Sequence, residues 1–417
     1  MSALVNEFLA RRLTADRLRF YALTIITVSL VLMAVSFITS KNRQSVFGTR
    51  LGGDFPAFYI AGKITNEHGA NATYDTALHF QIYHQMFPKE PPAEDLPYVN
   101  PPFLLPVFSF LARLPYPVAL AIWLLILAAL YFAAIWITVA DCRNIPHYLR
   151  STVVLLALSF APFIFYCWAL GQLSVLGTLF IALAIYLEKK KMAFLSGFAL
   201  SLCAYKPTLL LVILPMMFLT KRFRALLGVL VGGAFLGLLS LVMIGWQGII
   251  NYLVLLENFR RWKATAETIF QTWLYVDIHS FFQPFGGYPL ITGIKFACLA
   301  AGVAVLLYVW LRVSDRSFVW AITITVSLLL NVYTPMYDCS LLAIPALLAA
   351  DRLYAEGFVH LQFKILVIVL WLLPWASQAL AHAVGIQLYT LAIAAFAACL
   401  VVRSLKSVPG RATAAIS

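Results

Sequence analysis

The chain has 417 residues, of which 62% are hydrophobic and only 11% are charged, and its mean hydropathy is +0.89. This composition excludes an ordinary water-soluble globular domain, in which apolar and charged residues are far more evenly balanced. The net charge of +13 does not indicate nucleic-acid binding, because most Lys and Arg residues lie in short clusters between apolar segments. That distribution is typical of the connecting loops of a membrane protein.

The first long apolar segment covers roughly residues 20–39 and is long enough to cross a bilayer as a helix. Four arginines precede it, and no cleavage site of small residues follows it. We therefore expect this segment to be retained as an anchor, with residues 1–19 in the cytoplasm.

Residues 40–115 are predicted to form a long external loop. Its sequence indicates two short interfacial helices, about 55–65 and 75–87, and Asp75 is suited to cap the second. The apolar run 103–112 is too short to cross a bilayer and contains Pro106, so we predict that it inserts partly and returns to the same side.

The rest of the chain is predicted to cross the membrane eleven more times, which gives an all-α polytopic protein of twelve spans. If 103–112 crossed instead, the basic clusters 189–191 and 221–224 would lie outside, against the positive-inside rule. Both termini, including the tail 403–417, are then cytoplasmic, and 246–287 forms a second external segment. The predicted later spans are roughly 117–140, 151–169, 172–187, 192–205, 207–220, 225–245, 289–311, 317–333, 339–350, 361–380 and 386–402.

Asp54 lies just outside the first span, in the stretch Gly52-Gly-Asp-Phe-Pro56. One interpretation is a helix cap, since Pro56 suits the first turn of a helix and Asp54 occupies the preceding position. The other is a catalytic base held at the membrane surface. The local sequence alone favours the cap.

Lys206 follows an apolar run and precedes Pro207 at the external end of a predicted span. An ammonium group at this depth is costly unless it reaches water or is paired. Reaching water explains many lysines at membrane boundaries, mainly cytoplasmic ones. Because Lys206 is predicted on the external side, we favour the hypothesis that it supplies a point charge for a phosphate at the membrane surface.

Four further polar sites are predicted on the same external side. Gln172 follows a glycine between two spans and is equally consistent with a turn or a site residue. Arg260 and Arg261 belong to an amphipathic external segment, although either can clamp a phosphate. His279 can donate to a phosphate or sugar. Asp338 is predicted mainly to cap the helix that follows it.

Other chemistries find little support in the sequence. The six cysteines lie in or beside apolar runs without paired spacing, which favours buried thiols over disulfides or a zinc site. No P-loop, dinucleotide fingerprint or nucleophile elbow is present. We therefore expect no cofactor and no metal site, and substrates that are lipids already at the outer face.

Several short motifs together resemble glycosyltransferase family 87, integral-membrane enzymes of the GT-C superfamily that include polyprenol-phosphate-mannose-dependent mannosyltransferases. The motifs occur in the family's order and cover most of the chain. They are Gly53-Asp-Phe-x-x-Phe-Tyr59 with Ala61-Gly62, Tyr74-Asp75, Tyr98-x-x-Pro-Pro-Phe103, Leu114-Pro-Tyr116, Gly171-Gln172, Lys206-Pro207 and Tyr333-x-Pro-x-Tyr-Asp338.

The resemblance implies a GT-C-type helical bundle in the bacterial cytoplasmic membrane with its active site on the periplasmic side. It further implies inverting, metal-independent transfer of mannose or a similar sugar from a polyprenyl-phosphate donor to a lipid or glycolipid acceptor, with Asp54 as general base. Four residues are implied to bind the donor phosphate: Lys206, Arg260, Arg261 and His279. Five more are implied to bind substrate: Tyr59, Gln172, Tyr98, Asn100 and Asp338.

A transporter or flippase of lipids or glycolipids is the alternative hypothesis, because twelve spans with both termini inside also suit transporters. Transporters tend to hold polar groups at the membrane midplane, often within inverted repeats. Here the predicted polar groups cluster on one face and no such repeat is detected, which favours surface chemistry.

Overall fold

The computed structural model describes residues 11–40, 50–88, 96–265, 271–286, 288–355, 357 and 361–406, with backbone only for 262–265 and 406. Within these ranges the chain forms helices and turns, with isolated bridges such as that between Tyr275 and Pro335. The helices of the first half are α1 (Ala15–Thr39), α2 (Phe55–His68), α3 (Thr76–Met86), α4 (Leu105–Leu111), α5 (Tyr116–Asp141), α6 (His147–Leu158), α7 (Ser174–Lys189) and α8 (Ala193–Ser201).

The second half of the chain continues in the same way, and short 3-10 and π-helical turns join several helices. The long helix α10 is broken at Gly245, whose φ of 66° and ψ of 177° are not helical. The helices of this half are α9 (Ile213–Leu219), α10 (Phe223–Thr265), α11 (Ile278–Phe282), α12 (Pro289–Arg312), α13 (Arg316–Leu330), α14 (Ala343–Ala355), α15 (Leu361–Leu372), α16 (Pro374–Val384) and α17 (Tyr389–Lys406).

Four helices in the described ranges, α1, α5, α10 and α12, are long and apolar enough to cross a membrane. The number rises to six if each of two bent pairs counts as one span, namely α6 with the turn that follows it and α15 with α16. Other apolar helices are only 10–17 residues long, among them α13 and the portion Tyr389–Leu405 of α17. The chain is thus an integral membrane protein, and the count of twelve spans stays a prediction.

The segment predicted to be the first external loop contains two helices at the positions predicted for it. Pro56 lies in the first turn of α2, and Asp75 caps α3 by accepting a hydrogen bond from the backbone N–H of Leu78 at 3.1 Å. A Cβ at Gly62 would lie 2.1 Å from the carbonyl oxygen of Phe108, so glycine permits the close packing of α2 on α4.

The segment around α4 has both of its ends against this same loop. Tyr74 donates from its hydroxyl to the carbonyl oxygen of Asn100 at 2.9 Å, and Tyr59 donates likewise to Leu114 at 2.8 Å. A seven-residue helix rises only about 10 Å. This geometry supports the prediction that residues 103–112 do not cross the membrane.

The polar contacts of the long helices fall at two opposite ends of the molecule. Ser174 begins α7 and contacts Asp338, whereas Lys189 ends α7 and pairs with Asp141. Sixteen residues of α-helix separate these contacts by about 24 Å. We call the two regions the Asp338 end and the Asp141 end.

Residues predicted to be cytoplasmic meet at the Asp141 end. Arg19 donates to the carbonyl oxygen of Tyr148 at 2.7 Å, and Asp351 accepts from the backbone N–H of Asn144 at 2.7 Å. Four residues predicted to be external meet at the Asp338 end, namely Asp54, Gln172, Lys206 and Asp338. The predicted separation of the polar groups into two faces therefore agrees with these contacts.

Candidate functional site

Two glycine-containing turns lie back to back at the Asp338 end. Gly53 and Gly171 adopt left-handed backbone conformations, with φ of 57° and 68°. The backbone N–H of Asp54 donates to the carbonyl oxygen of Leu170 at 3.0 Å, and a Cβ at Gly53 would lie 2.8 Å from the Leu170 backbone. Glycine is the residue that permits both the conformation and the close approach.

Helix α5 holds both turns in place. Tyr116 donates from its hydroxyl to the carbonyl oxygen of Leu51 at 2.5 Å, and Trp123 donates from its indole N–H to Gly171 at 2.8 Å. The two side chains are seven residues apart, which places them on one face of the helix. One rigid element thus sets the position of Asp54 relative to Gln172.

The carboxylate of Asp54 does not cap α2, so the cap interpretation of this side chain is wrong. It instead accepts a hydrogen bond from the side-chain amide of Gln172. Burial raises the pKa of Asp54 above its usual value, and the positive charge of Arg50 and the hydrogen bond from Gln172 partly oppose this rise. The result is a carboxylate more basic than an exposed one.

A second buried carboxylate lies beside this turn. Asp338 is fully buried and accepts a hydrogen bond at 2.6 Å from the hydroxyl of Ser174, two residues after Gln172. Its other oxygen pairs with the ammonium of Lys206, whose side chain is 15% exposed. Asp338 was expected to cap the following helix, and that prediction is wrong because its carboxylate is used to neutralise Lys206.

Two tyrosines lie near the Lys206–Asp338 ion pair, and one of them, Tyr337, is also near Asp54. The ammonium of Lys206 lies 5.0 Å from the ring centroid of Tyr333 and 5.2 Å from that of Tyr337. Burial raises the pKa of Tyr337, and the negative charge of Asp54 is among the charges that raise it further. Tyr337 is therefore near both the acid and the ion pair.

Part of the second external segment docks on the loop that carries these tyrosines. The backbone N–H of Val276 donates to the carbonyl oxygen of Thr334 at 2.8 Å. The buried carboxylate of Asp277 accepts from the backbone N–H groups of Thr334 at 2.9 Å and Ser280 at 2.7 Å. Asp277 is accordingly a structural residue, which caps α11 and fixes the loop.

The remaining predicted site residues lie elsewhere. Arg260 and Arg261 are exposed and pair with Glu257 on the same helix, at 2.7 and 2.8 Å. His279 is exposed on α11, beside the docked segment. Their proposed contacts with a phosphate stay predictions.

The predicted substrate residues of the first loop belong to an aromatic cluster. Tyr59 packs edge-on against Tyr116, and Tyr98 is buried edge-on against Phe58. Asn100 accepts from Tyr74 through its backbone carbonyl, as described above. The structure thus brings together Asp54, Gln172, Lys206 and Asp338, while Tyr59, Tyr98 and Asn100 form part of the support beneath them.

Three residues of the cluster were not predicted from sequence: Arg50, Ser174 and Tyr337. Arg50 donates to the hydroxyl of Tyr83 and acts electrostatically on Asp54. Arg50 lies four residues before Asp54 in the sequence, and this closeness of a base to a lone acid could have indicated its role. Ser174 carried no comparable signal, because its role depends on a contact distant in sequence, and Tyr337 was present only as a member of the Tyr333-x-Pro-x-Tyr-Asp338 motif without a role of its own.

Among the residues that the structure describes, no three His, Cys, Asp or Glu side chains gather as metal ligands would. The arrangement offers an acid with a raised pKa, a neutral amide and a paired cation. These groups can accept a proton and bind a polar or anionic group.

Apolar helices that can span a bilayer, with a polar cluster gathered at one end, define an integral membrane protein with a candidate site at that end of its helices. The sequence profile of Glycosyltransferase family 87 matches residues 98–335, more than half of the chain. The chain therefore belongs to glycosyltransferase family 87 and is a membrane glycosyltransferase, which confirms the resemblance noted from its motifs.

No curated protein and no solved structure shows significant similarity to the chain. The matched range contains Gln172 and Lys206, whereas Asp54 and Asp338 lie outside it. Roles for these two carboxylates therefore depend on the geometry of the site.

Proposed function

We propose that the protein transfers a sugar, mannose or a similar one, from a polyprenyl-phosphate donor to a lipid or glycolipid acceptor. The observation that carries the proposal is the pairing of Asp54, a partly buried carboxylate of raised pKa, with Gln172 beside the Lys206–Asp338 ion pair. Family membership supports the reaction class, and the geometry supports the assignment of roles.

Asp54 acts as general base in this proposal. It takes the proton from an acceptor hydroxyl while that oxygen bonds to the anomeric carbon, and the bond from that carbon to the donor phosphate breaks. The configuration at the anomeric carbon inverts, and polyprenyl phosphate leaves with the bonding electrons. General-base assistance of this kind contributes roughly 10²–10⁴-fold to the rate.

Lys206 binds the donor phosphate and offsets the charge that develops on it. An ammonium group has three N–H donors, and the bond to Asp338 uses one of them. The 15% exposure of the side chain leaves it accessible to a ligand. Asp338 and Tyr337 position this lysine, and Arg260, Arg261 and His279 are proposed as additional phosphate ligands on the second external segment.

The prenyl chain of the donor lies in lipid beside this ion pair. A small, mostly apolar pocket of about 10 Å³, room for roughly one water molecule, lies between α7, α9 and α13 near Leu209 and Leu341. Its walls are otherwise largely aliphatic, including Ile181, Ile213 and Ile324. A prenyl chain does not fit this pocket, so in this proposal the tail stays in the surrounding lipid while the donor phosphate meets Lys206.

The Asp338 end is proposed to face the periplasm, with both termini in the cytoplasm. Lys189, Arg222 and Arg316 come from three basic clusters predicted to be cytoplasmic, and each pairs with an acid at the Asp141 end. This supports the orientation through the positive-inside rule. The polar cluster sits at a helix end and not at mid-helix, an arrangement that favours the transferase over the transporter hypothesis.

The proposal is tested by incubating the purified full-length protein with a panel of polyprenyl-phosphate sugars and a lipid extract, with products identified by mass spectrometry. We expect one donor to yield a lipid whose mass increases by one sugar residue, with or without a metal chelator. Movement of an unmodified lipid across a vesicle membrane, without sugar transfer, would support the transporter instead.

A further inference from the structure

A cluster of two arginines and two tryptophans lies at the Asp141 end, away from Asp54. Glu188, near the end of α7, accepts hydrogen bonds from Arg222, from Arg316 at 2.9 Å and from the indole N–H of Trp320 at 2.7 Å. The guanidinium carbons of Arg222 and Arg316 lie 5.1 and 4.9 Å from the ring centroid of Trp310. We call these five residues the arginine cluster.

The arginine cluster carries one positive charge more than its single carboxylate neutralises. The neighbouring acids do not supply the balance: Asp141 pairs with Lys189, and Asp315 lies 3.7 Å from Arg352 while capping α13. The excess charge is therefore held in place by the tryptophan rings and not by a second carboxylate.

One donor of the cluster has no hydrogen-bond partner in the described part of the chain. The Nη2 atom of Arg316 is buried and unpaired, whereas its Nε atom bonds to Glu188. An unsatisfied buried donor on a charged group is expensive. The side chains of Arg316 and Arg222 nevertheless remain 23% and 29% exposed, so a small ligand can approach the cluster from outside, although Nη2 itself is covered.

We propose that the arginine cluster binds a phosphate group, supplied by the headgroup of an anionic lipid in the adjoining leaflet or by free phosphate. The rigid fork of a guanidinium matches phosphate geometry, and a shift of the partly exposed Arg316 side chain toward the ligand gives Nη2 a phosphate oxygen as its acceptor. Basic pockets between membrane helices are a recurring form of such sites. Both sources present a phosphate group to the arginines, and the experiment below distinguishes the lipid from free phosphate.

The test measures lipid retention by native mass spectrometry on the full-length protein in a neutral detergent. Wild-type protein is mixed with phosphatidylglycerol or with phosphatidylcholine, whose headgroup is zwitterionic. We compare Arg316→Lys, which keeps the charge and removes Nη2, with Arg312→Lys, the same substitution at an exposed position of the same end. We expect preferential retention of phosphatidylglycerol, about tenfold weaker in Arg316→Lys and unchanged in Arg312→Lys.

A soluble source is distinguished by adding inorganic phosphate without lipid. Stabilisation of wild-type protein by millimolar phosphate, lost in Arg316→Lys, would identify free phosphate as the ligand and still support the site. Equal retention of both lipids with no effect of phosphate would overturn the proposal, as would equal weakening by the two substitutions. The wild-type comparisons do not depend on whether a variant folds.

Discussion

The side-chain amide of Gln172 donates a hydrogen bond to the carboxylate of Asp54, although 118 residues separate them in sequence. A neutral donor favours the ionised carboxylate without cancelling its charge, so the acid is held in one orientation and remains able to accept a proton. This contact is the part of the site on which the proposed base depends most directly.

Replacing Asp54 with Asn is expected to lower the rate of sugar transfer by roughly 10²–10⁴-fold, because a general base is lost. The substitution preserves shape, so the melting temperature in detergent should remain near that of the wild type. Asp75→Asn is the matched control in the same loop, since Asp75 caps α3 and Asn caps a helix equally well. Comparable turnover by the two variants would remove Asp54 from the mechanism.

Replacing Gln172 with Leu is expected to move the acidic limb of the rate–pH profile to higher pH. The hydrogen bond lowers the pKa of Asp54, so its loss raises that pKa further, and the base is ionised only at higher pH. A bond worth about 1.4 kcal/mol shifts the limb by about one pH unit. Gln247→Leu is the control, because Gln247 bonds only to Asn251 on its own exposed helix face in the described structure. An unmoved limb would contradict the prediction.

The Lys206–Asp338 pair is expected to show strong energetic coupling. Asp338→Leu leaves a largely buried ammonium without its partner, at a cost of roughly 3–5 kcal/mol in the free energy of unfolding. Adding Lys206→Met should recover much of this stability but not donor use, since the proposed phosphate ligand is then absent. Denaturation in detergent and the KM for donor measure the two effects.

The exposed Lys63–Glu67 pair supplies the control for this cycle. Its side chains are 36% and 46% exposed, so Lys63→Met should change stability by no more than about 1 kcal/mol. Additive losses in the Lys206 and Asp338 variants, instead of coupling, would indicate that the two side chains are not paired in the membrane.

Replacing Gly53 with Ala is expected to destabilise the loop by at least about 1–2 kcal/mol, the cost of a left-handed backbone for a residue with a Cβ. The new Cβ would also collide with the Leu170 backbone at 2.8 Å and displace Asp54. Gly233→Ala, within α10, meets no heavy atom within 4 Å and should be neutral or stabilising. Thermal unfolding and transfer rate are the readouts, and equal behaviour of the two variants would exclude the proposed turn.

His79 is expected to make the external loop sensitive to acid. Burial lowers its pKa from 6.5 to about 4, although a hydrogen bond to the carbonyl oxygen of Leu96 opposes this. Between these two values the unfolded loop binds the proton more tightly, so stability falls as the pH drops through this window, by up to roughly 3 kcal/mol.

The free energy of unfolding, measured between pH 7 and pH 4, should therefore depend less on pH in His79→Gln than in the wild type. His68→Gln, at the exposed end of α2, is the control and should keep the wild-type dependence. A wild-type protein whose stability does not change across this range would refute the prediction.

Local sequence signals predicted the elements that depend on neighbours in the chain. The helices α2 and α3 and the cap at Asp75 follow from Pro56, Asp75 and the residues beside them, and all three were confirmed. Lys206 and Gln172 were singled out because a charge and an amide at span ends need an explanation.

The same signals failed where a side chain's partner lies far along the chain. Asp54 and Asp338 both occupy positions suited to a helix cap, yet one bonds to Gln172 and the other to Lys206. A cap gains one neutral hydrogen bond, whereas a buried ammonium without a counter-ion costs several kcal/mol. The larger penalty decides the partner of Asp338, and only the folded chain shows which cation is near.

Both pairs of interacting residues are far apart in sequence, so the two members of each pair are synthesised at different times. Asp54 is made 118 residues before Gln172, and Lys206 is made 132 residues before Asp338. Asp54 is therefore synthesised before the residue that donates a hydrogen bond to it, and Lys206 is synthesised before its counter-ion. Chains that stop before residue 338 lack the counter-ion of Lys206, so premature termination late in the gene should yield unstable products for early degradation.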